Sequence, residues 1–505
     1  MKDFLKLKRL KMKNINTYMH FSEHKLKVCV SCLLLSLLIF ASCEDILEEK
    51  PKTLAVEVFY NTSEEVETSV NAIYTPISGN IVEQTVILDT HTDWGYGRGS
   101  RADYNNLQGF NAASSINNAG GRWNTFYLAI RNANLVIKNA PNGSSISQSD
   151  ISKNVGEAKF LRAFAYFQLV RNWGSIPLRT EENMKVVDLA KSPVADVYTL
   201  IVSDLSYAES NLPEVQSLVG KPTKYSAKTM LADVYLTLGR YAEARDKANE
   251  VIQSNKYSLV SVKSKTDYQW NLFGPVIVTT PEEIFYFKYS RQAGQGNWIL
   301  WVLSHASTGN FNFGGAYAHY SDATNPFYVN WNDNDIRKSL WDKINFGLGP
   351  NTLICSKYID PNAVEKDRGA GNDLPIYRYS EVLLIYAEAS CMASSGPTSE
   401  GIEALNKVHR RAYGKDPKTT SDVDFKISNY NKTTFQDLVL QERAYEFIFE
   451  GKRWYDLKRT GKAAEVIKAA KGITIAEKAY LWPIPVSELD YNKALDPATD
   501  QNPGY

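Results

Sequence analysis

Three glutamates near the carboxyl end of the chain have a spacing that could serve acid–base chemistry. Glu442, Glu446 and Glu450 follow one another at intervals of one helical turn. Two carboxylates on one face could act as the acid and the base in the hydrolysis of a glycoside. The same spacing also suits ion pairs across helices, with Arg443 and Arg453 as candidate partners, and aromatic residues interleave as in a core. We therefore interpret this block as architecture.

Other patterns typical of catalysis or metal binding are missing from the sequence. It contains no His-Glu-x-x-His, no Gly-x-Ser-x-Gly and no phosphate-loop lysine motif. The loop from Asn330 to Asp335 has the acidic and amide residues of a calcium loop but lacks its glycine and its final glutamate. The sequence thus predicts no catalytic residue, no metal site and no cofactor.

Aromatic residues are better candidates for function, through binding. The chain has 30 Tyr, 20 Phe and 10 Trp, and five of the tryptophans fall between residues 265 and 345, among many glycines. Flat rings suit the C–H faces of sugars, and polar groups then take the hydroxyls. Many of these rings would serve equally well as core, and Trp341 is assigned there. We predict one shallow surface cleft lined by Trp94, Tyr96, Arg98, Trp298, Trp301, Tyr320 and Trp331.

The first 42 residues have the organisation of a secretory signal. They carry eight Lys/Arg against two Asp/Glu, and an apolar run from Val28 to Phe40 precedes Ala41-Ser42-Cys43. The order of small residues before the cysteine resembles a bacterial lipobox, which predicts acylation of Cys43 and a tether over 43–60. An ordinary signal that leaves Cys43 unmodified is the alternative. The acidic residues that follow resemble a surface-export signal of Bacteroidetes lipoproteins; they are Glu44, Asp45, Glu48 and Glu49.

Composition excludes several other classes of protein. The 505 residues are 44% apolar and 22% charged, close to the globular average. The net charge of +1 argues against nucleic-acid binding driven by counterion release. After the leader, no apolar stretch reaches the roughly 20 residues of a membrane span. The remainder is therefore predicted to be one globular region, residues 61–505.

Helix pairs are the main predicted elements. Residues 227–238 and 241–254 follow the tetratricopeptide pattern, with Gly239 at the turn and Thr223 as a possible cap. Weaker pairs are expected over 157–171 with 194–212, 380–393 with 398–412, 62–78 with 121–140, and 434–449 with 453–470. Helical repeats would thus cover about 61–80, 121–255 and 376–470. Irregular regions are expected over about 81–120 and 257–375, with a strand at 284–287.

Several longer blocks resemble the SusD/RagB family of outer-membrane nutrient-binding lipoproteins. The blocks are the start from Cys43 to Pro51, the segment 157–178 that ends in WGSIPL, and 198–213, 223–239, 379–389, 442–459 and 481–505. The resemblance implies a mainly α fold, a tetratricopeptide-like helix-pair scaffold with a large irregular, loop-rich ligand-binding region and a few short strands.

The resemblance also implies a role without catalysis. A cell-surface lipoprotein would capture a nutrient, with a glycan favoured by the aromatic content, and deliver it to a SusC-like TonB-dependent transporter. It would be anchored to outer-membrane lipid through acylated Cys43 and face the cell exterior. Two alternatives remain open at this point, a peptide-binding protein of the RagB kind and a surface glycoside hydrolase.

Overall fold

Helices make up most of the described chain. The computed structural model describes residues 59–99, 102, 105, 107–109, 119–308, 310, 316, 318–363 and 369–505. The predicted leader, Cys43 and the predicted tether up to residue 58 lie outside the described residues. The helices are α1 (Ser63–Thr90), α2 (Ala119–Asn139), α3 (Gln148–Trp173), α4 (Val194–Asn211), α5 (Lys224–Thr237), α6 (Tyr241–Gln253), α7 (Lys265–Asp267), α8 (Ile299–Leu303), α9 (Pro326–Val329), α10 (Tyr379–Ala393), α11 (Ser399–Ala412), α12 (Lys432–Glu446), α13 (Arg453–Arg459), α14 (Ala463–Lys471), α15 (Val486–Tyr491) and α16 (Pro497–Asp500).

The pair α5–α6 confirms the predicted tetratricopeptide-like turn. Thr223 caps α5 through a capping box, in which its hydroxyl accepts a hydrogen bond from the backbone N–H of Ser226. Gly239 between the helices has a φ of +71°, a left-handed conformation that a residue without Cβ adopts at little cost. Local sequence signals were therefore sufficient to indicate where α5 begins and where the turn to α6 lies.

Each long helix packs on the next, so the pairs form one continuous row. Contacts run from α1 through α2, α3, α4 and α5 to α6, and α6 then packs on α10, which packs on α11 and α12. The segment 254–378 leaves the row after α6 and returns to it at α10. The expectation of a mainly helical scaffold is confirmed, and stacking of this kind buries faces that no single pair could bury.

Helix α1 is longer than the sequence pattern predicted. It continues past residue 80 to Thr90, so the first irregular region begins about ten residues later than expected. Pro76 within the helix cannot bond to the carbonyl of Ala72. The side-chain amide of Asn132 on α2 donates to that carbonyl instead, at 3.0 Å. The buried residues that follow, Ile81 and Val82 among them, then continue the helix into the core.

The predicted helix 453–470 is also corrected, because it consists of two helices. α13 ends at Arg459 and α14 begins at Ala463. Gly461, with a φ of +71°, lies in the turn between them. A left-handed glycine ends a helix without steric cost, and the chain can change direction there.

Short strands occur mainly within the segment 254–378. They are β1 (Tyr96–Gly97), β2 (Ile176–Pro177), β3 (Lys191–Ser192), β4 (Glu283–Phe287), β5 (His319–Asp322), β6 (Trp341–Lys343), β7 (Thr352–Cys355) and β8 (Leu374–Arg378). One antiparallel sheet has the order β1-β5-β7-β6, and the pairs β2–β3 and β4–β8 are separate. Strand β4 confirms the predicted strand at 284–287.

The three glutamates at one-turn spacing lie in the interior. The carboxylate of Glu446 accepts hydrogen bonds from Arg337 at 3.0 Å and from the guanidinium groups of Arg378 and Arg411. All four side chains are at most 3% exposed. These residues come from distant parts of the chain, so the ion pairs join β8, α11, α12 and the segment before β6.

This arrangement confirms that the glutamates are architecture. Burial alone would raise the pKa of Glu446, but Arg411, Arg378 and Arg337 hold it well below its ordinary value. The pKa of Glu442 and of Glu450 is also lowered by neighbouring cations, against the effect of burial. A general acid needs a raised pKa, and the pKa of each of these three carboxylates is lowered.

Candidate ligand-binding site

A tight turn after α1 positions the first candidate residues. The hydroxyl of Thr92 donates to the carbonyl of Asp89 at 2.6 Å and accepts from the N–H of Gly95 at 3.1 Å. A Cβ on residue 95 would lie 2.0 Å from the Asp89 carbonyl oxygen, so the turn requires glycine there. The chain leaves this turn directly into β1, whose first residue is Tyr96.

The rings of Tyr96 and Tyr320 are brought together by strand pairing. The two residues are opposite each other in the antiparallel pair β1–β5, and directly opposite side chains share one face of a sheet. Their ring centroids are 5.5 Å apart with an interplanar angle of 23°, a stacked geometry. Both side chains are only partly buried, and Asn325 holds the Tyr96 hydroxyl with an N–H donated at 3.1 Å.

Arg98 follows β1 directly and adds a charged side chain beside the two tyrosines. Its backbone N–H donates to the carbonyl of Ala318 at 2.8 Å, next to β5. Its guanidinium carbon lies 5.4 Å from the centroid of the Phe346 ring, against which His305 also stacks at 5.5 Å. A cation over an aromatic face is favourable, and the group therefore places a charged donor beside the tyrosine pair.

Trp298 and Trp301 lie at a short helix that is hydrogen-bonded to the same region. The buried residues of α8 are Ile299, Leu300, Val302 and Leu303. The two tryptophans, three residues apart, are instead partly exposed. The carbonyl of Trp301 accepts from the N–H of Ala316 at 2.5 Å and that of Val302 from Ala318 at 2.7 Å. We call Tyr96, Arg98, Trp298, Trp301 and Tyr320 the aromatic platform.

The phenols of the platform are neutral hydrogen-bonding groups. Burial raises the pKa of Tyr96 and of Tyr320, and the neighbouring carboxylate of Asp322 acts in the same direction. Both hydroxyls therefore keep their protons at neutral pH and can donate as well as accept. Together with Arg98 and Asp322, they offer donors and acceptors beside a stacked aromatic surface.

Lys471 at the end of α14 holds the turn from the other side. Its ammonium group lies 4.4 Å from the centroid of the Tyr96 ring and donates to the backbone carbonyls of Thr90 and Gly95. Burial lowers the pKa of Lys471 to about 7. A single side chain from the carboxyl-terminal part of the chain thus ties both ends of the turn that presents Tyr96.

Two of the residues predicted to line the surface cleft are instead part of the core. The Trp94 side chain is 0% exposed and packs edge-on against Trp341 at 5.6 Å and Phe449 at 4.9 Å. Trp331 is 2% exposed and stacks on Tyr445 at 4.1 Å. The prediction that both rings face one cleft with Tyr96 is therefore corrected, because distant aromatic residues cover them. The assignment of Trp341 to the core is confirmed.

The sequence matches two family models, in both halves of the chain. The model described as the SusD family matches residues 309–505, and the model described as starch-binding associating with outer membrane matches residues 45–236. SusD-like protein P2 of Formosa agariphila is 28% identical over 95% of this chain and the whole of that protein. The chain belongs to the SusD/RagB family. The resemblance seen in the sequence blocks is thereby confirmed.

Solved structures share the fold of this SusD/RagB chain. Surface glycan-binding protein A from Bacteroides fluxus matches with a TM-score of 0.74 at 21% identity, over 88% of this chain and all of that one. A laminarin binding SusD-like protein matches with a TM-score of 0.71 at 22% identity and the same coverage. At this level of identity the likeness establishes the fold. No described helix is both long enough and apolar enough to cross a membrane.

Sequence reasoning missed several groups around the platform of this SusD/RagB chain. Phe346 lies between Asn345 and Gly347, in the region rich in aromatic residues and glycine, so the signal that identified the other rings also applied to it. Lys471 carried no such signal, since it is one of two lysines on α14 and lies one residue past the predicted helix 453–470. Its place beside Tyr96 depends on how α14 packs against the turn.

The turn itself makes the stability of this SusD/RagB chain sensitive to acid. Burial lowers the pKa of His91 to about 4. Between that value and its ordinary pKa of about 6.5, the unfolded chain binds a proton that the folded chain does not, so stability falls as the pH drops. We expect the free energy of unfolding to fall by about 2 kcal/mol on this account between about pH 7 and about pH 4.5.

Urea denaturation at the two pH values, with the wild type and His91→Asn, measures this contribution. The variant should lose less stability than the wild type between the two conditions, because it lacks the titrating group. An equal loss in both proteins would show that His91 does not titrate in this range.

Proposed function

We propose that this protein is a surface lipoprotein that binds a glycan and passes it, without cleaving it, to a SusC-like TonB-dependent transporter. The aromatic platform is the site that would meet the glycan. The stacked and partly exposed pair Tyr96–Tyr320 is the observation that carries this proposal. Exposed rings held in a fixed geometry suit the C–H faces of sugar rings, while Arg98 and Asp322 suit their hydroxyls.

The names of the structural neighbours support the choice of ligand. One is named a surface glycan-binding protein and another a laminarin binding protein. We extend the ligand class of those two proteins to this chain. Trp298 and Trp301 would add further stacking surface for successive sugar units.

The absence of catalysis is supported by the state of the acidic residues. Glu442, Glu446 and Glu450 are buried and paired with arginine or lysine. The platform has Asp322 beside it, and a glycosidase of the usual kind needs two carboxylates across the scissile bond. Binding rather than hydrolysis is therefore the function that fits these residues.

The amino terminus and the family support the proposed place in the cell. The signal 1–42, the acylated Cys43 and the acidic residues after it would anchor the protein in the outer membrane, facing the exterior. A tether over 43–60 would let residues 61–505 move over the transporter while the anchor stays in the membrane. The description of the amino-terminal family model, which mentions the outer membrane, supports this location.

Binding and hydrolysis assays on one purified sample test the proposal. The full-length lipoprotein in detergent is titrated with laminarin, starch, xylan and pectin, and with a mixture of tryptic peptides. Binding of a polysaccharide without release of reducing ends is the expected result. Release of reducing ends in proportion to protein would identify a hydrolase, and binding of peptides alone would identify a protein of the RagB kind.

Co-purification tests the partner. Pull-down of the tagged lipoprotein from detergent-solubilised outer membranes should recover a TonB-dependent barrel protein of the SusC type. Recovery of the lipoprotein by itself under conditions that keep other outer-membrane complexes intact would contradict the proposed transfer.

Cys43→Ala is expected to abolish lipid anchoring. Without the thiol no acyl chain can be attached, and each buried CH₂ contributes about 0.8 kcal/mol to membrane binding. The variant should appear in the soluble fraction or keep its leader, whereas the wild type stays with the membrane. Intact-mass spectrometry of the wild type provides the second readout, and an unmodified Cys43 in that spectrum would disprove the anchor.

A further inference from the structure

A cavity of about 710 Å³ lies apart from the aromatic platform. Three segments form it: the loop 330–335 after α9, the end of α11 with the residues that follow it, and one side of α12. None of the platform residues lines it. Its volume falls within the roughly 300–1,000 Å³ of typical small-molecule sites. The loop 330–335 is also the segment whose sequence resembles an incomplete calcium loop.

Aromatic rings form one wall of this cavity. Trp331 and Tyr445 both line it, and their rings stack at 4.1 Å with an interplanar angle of 13°. Tyr445 remains partly exposed while Trp331 is buried behind it. Tyr413 and Phe425, also partly exposed, line the cavity as well. The ring of Tyr445 therefore rests on a buried ring that fixes its orientation.

The charged groups of the cavity already neutralise one another. Asp335 pairs with Arg337 at 2.6 Å, and Arg337 pairs in turn with Glu442 at 2.8 Å. At the rim, the ammonium group of Lys415 lies 3.3 Å from Asp422. A metal ion or a strongly charged ligand would have to break these pairs, and the cost of leaving a buried charge unpaired is high. The lining thus favours a neutral ligand.

Amide groups can supply hydrogen bonds to such a ligand, and one of them, Gln441, also bonds the hydroxyl of Tyr445. Asn330, Asn334 and Gln441 line the cavity. The side chains of Asn330 and Asn334 are exposed and make no hydrogen bond to another described residue. Asn332 is different, because its side-chain oxygen accepts from the N–H of Asn334 at 2.9 Å and so supports the loop. Each primary amide offers two donors and an acceptor, which matches the hydroxyl groups of a sugar.

We propose that this cavity is a second saccharide-binding site, which takes a short neutral segment of glycan. A lining of partly exposed rings, amide groups and paired charges suits uncharged sugar units. The inference rests on the proposed function, since it assigns a further contact for the same class of ligand. Two sites on one chain would allow a polymer to be held at more than one position.

Titration of short oligosaccharides tests the second site. Isothermal calorimetry with laminarihexaose, maltohexaose, cellohexaose and xylohexaose identifies which of these the full-length lipoprotein binds. For that ligand we expect two sites on the wild type and one on Tyr96→Ala/Tyr320→Ala. Adding Asn334→Ala and Gln441→Ala to the platform variant should weaken the remaining site about 30-fold, from the loss of two hydrogen bonds.

A matched control uses residues of the same types elsewhere. Asn249→Ala/Gln253→Ala removes one Asn and one Gln side chain from α6, which does not line the cavity, and should leave both sites unchanged. Circular dichroism of every variant should give the wild-type spectrum.

The outcomes separate the two proposals. No binding to the platform variant, with one site on the wild type, would overturn the second site and leave the proposed function intact. A second site that persists after Asn334→Ala/Gln441→Ala would show that it lies outside this cavity. Binding of peptides but of no oligosaccharide by the wild type would overturn both proposals.

Discussion

Glu446→Gln is expected to lower the free energy of unfolding by about 3–5 kcal/mol, although the side chain keeps its size and shape. Glu446 contacts three guanidinium groups in a region from which water is excluded. Removal of its charge takes one ion-pair partner from each of Arg337, Arg378 and Arg411, and each of them keeps another carboxylate. Breaking a buried network of ion pairs is among the few mechanisms that make a single substitution this damaging.

Because these residues belong to different elements, we expect the substitution to destabilise the whole fold. Arg378 belongs to β8, Arg411 to α11 and Glu446 to α12, so one carboxylate joins three elements that are far apart in sequence. Denaturation by guanidinium chloride, followed through tryptophan fluorescence, measures the change in stability. The midpoint should move to lower denaturant concentration without a new intermediate transition.

A surface glutamate provides the control for this substitution. Glu465 on α14 is exposed, and Glu465→Gln makes the same chemical change where water solvates the charge. Its effect should stay within about 0.5 kcal/mol. If Glu446→Gln were as mild as Glu465→Gln, the ion pairs around Glu446 would not be an essential part of the fold.

Tyr96→Ala combined with Tyr320→Ala is expected to weaken binding of the glycan at the platform at least about 100-fold. The two rings form one stacked surface, and the loss of both removes the stacking contact together with two neutral hydroxyl groups. Because both side chains are partly exposed, the melting temperature should change by only a few degrees. Calorimetric titration and thermal melting on the same samples separate the two effects.

Tyr491 provides the matched substitution. Its side chain is 80% exposed, so Tyr491→Ala removes an aromatic ring from the surface without touching the platform. Binding should remain at the wild-type level. Survival of full binding in the Tyr96→Ala/Tyr320→Ala variant would place the ligand elsewhere, and a large fall in its melting temperature would show that the pair is structural.

Local patterns in the sequence determined the helical scaffold. The cap at Thr223, the turn at Gly239 and the tetratricopeptide pattern of α5 and α6 depend on residues within a few positions of one another. Such short-range rules operate in the same way in any surrounding structure. The family blocks and the interior nature of the Glu442–Glu450 row could be inferred in the same manner, because both rest on spacing along the chain.

The burial of each aromatic ring was decided by the tertiary structure. Trp94 and Tyr96 are two residues apart, and nothing in the local sequence indicated that one ring would be buried and the other partly exposed. Trp94 is covered by Phe449, which lies more than 300 residues further along the chain, whereas Tyr96 stacks with Tyr320 at a partly open surface. Burial of these rings depends on contacts between distant segments, and a pattern within one segment cannot predict such contacts. For the same reason the sequence named candidate rings but could not separate those at the partly open surface from those in the core.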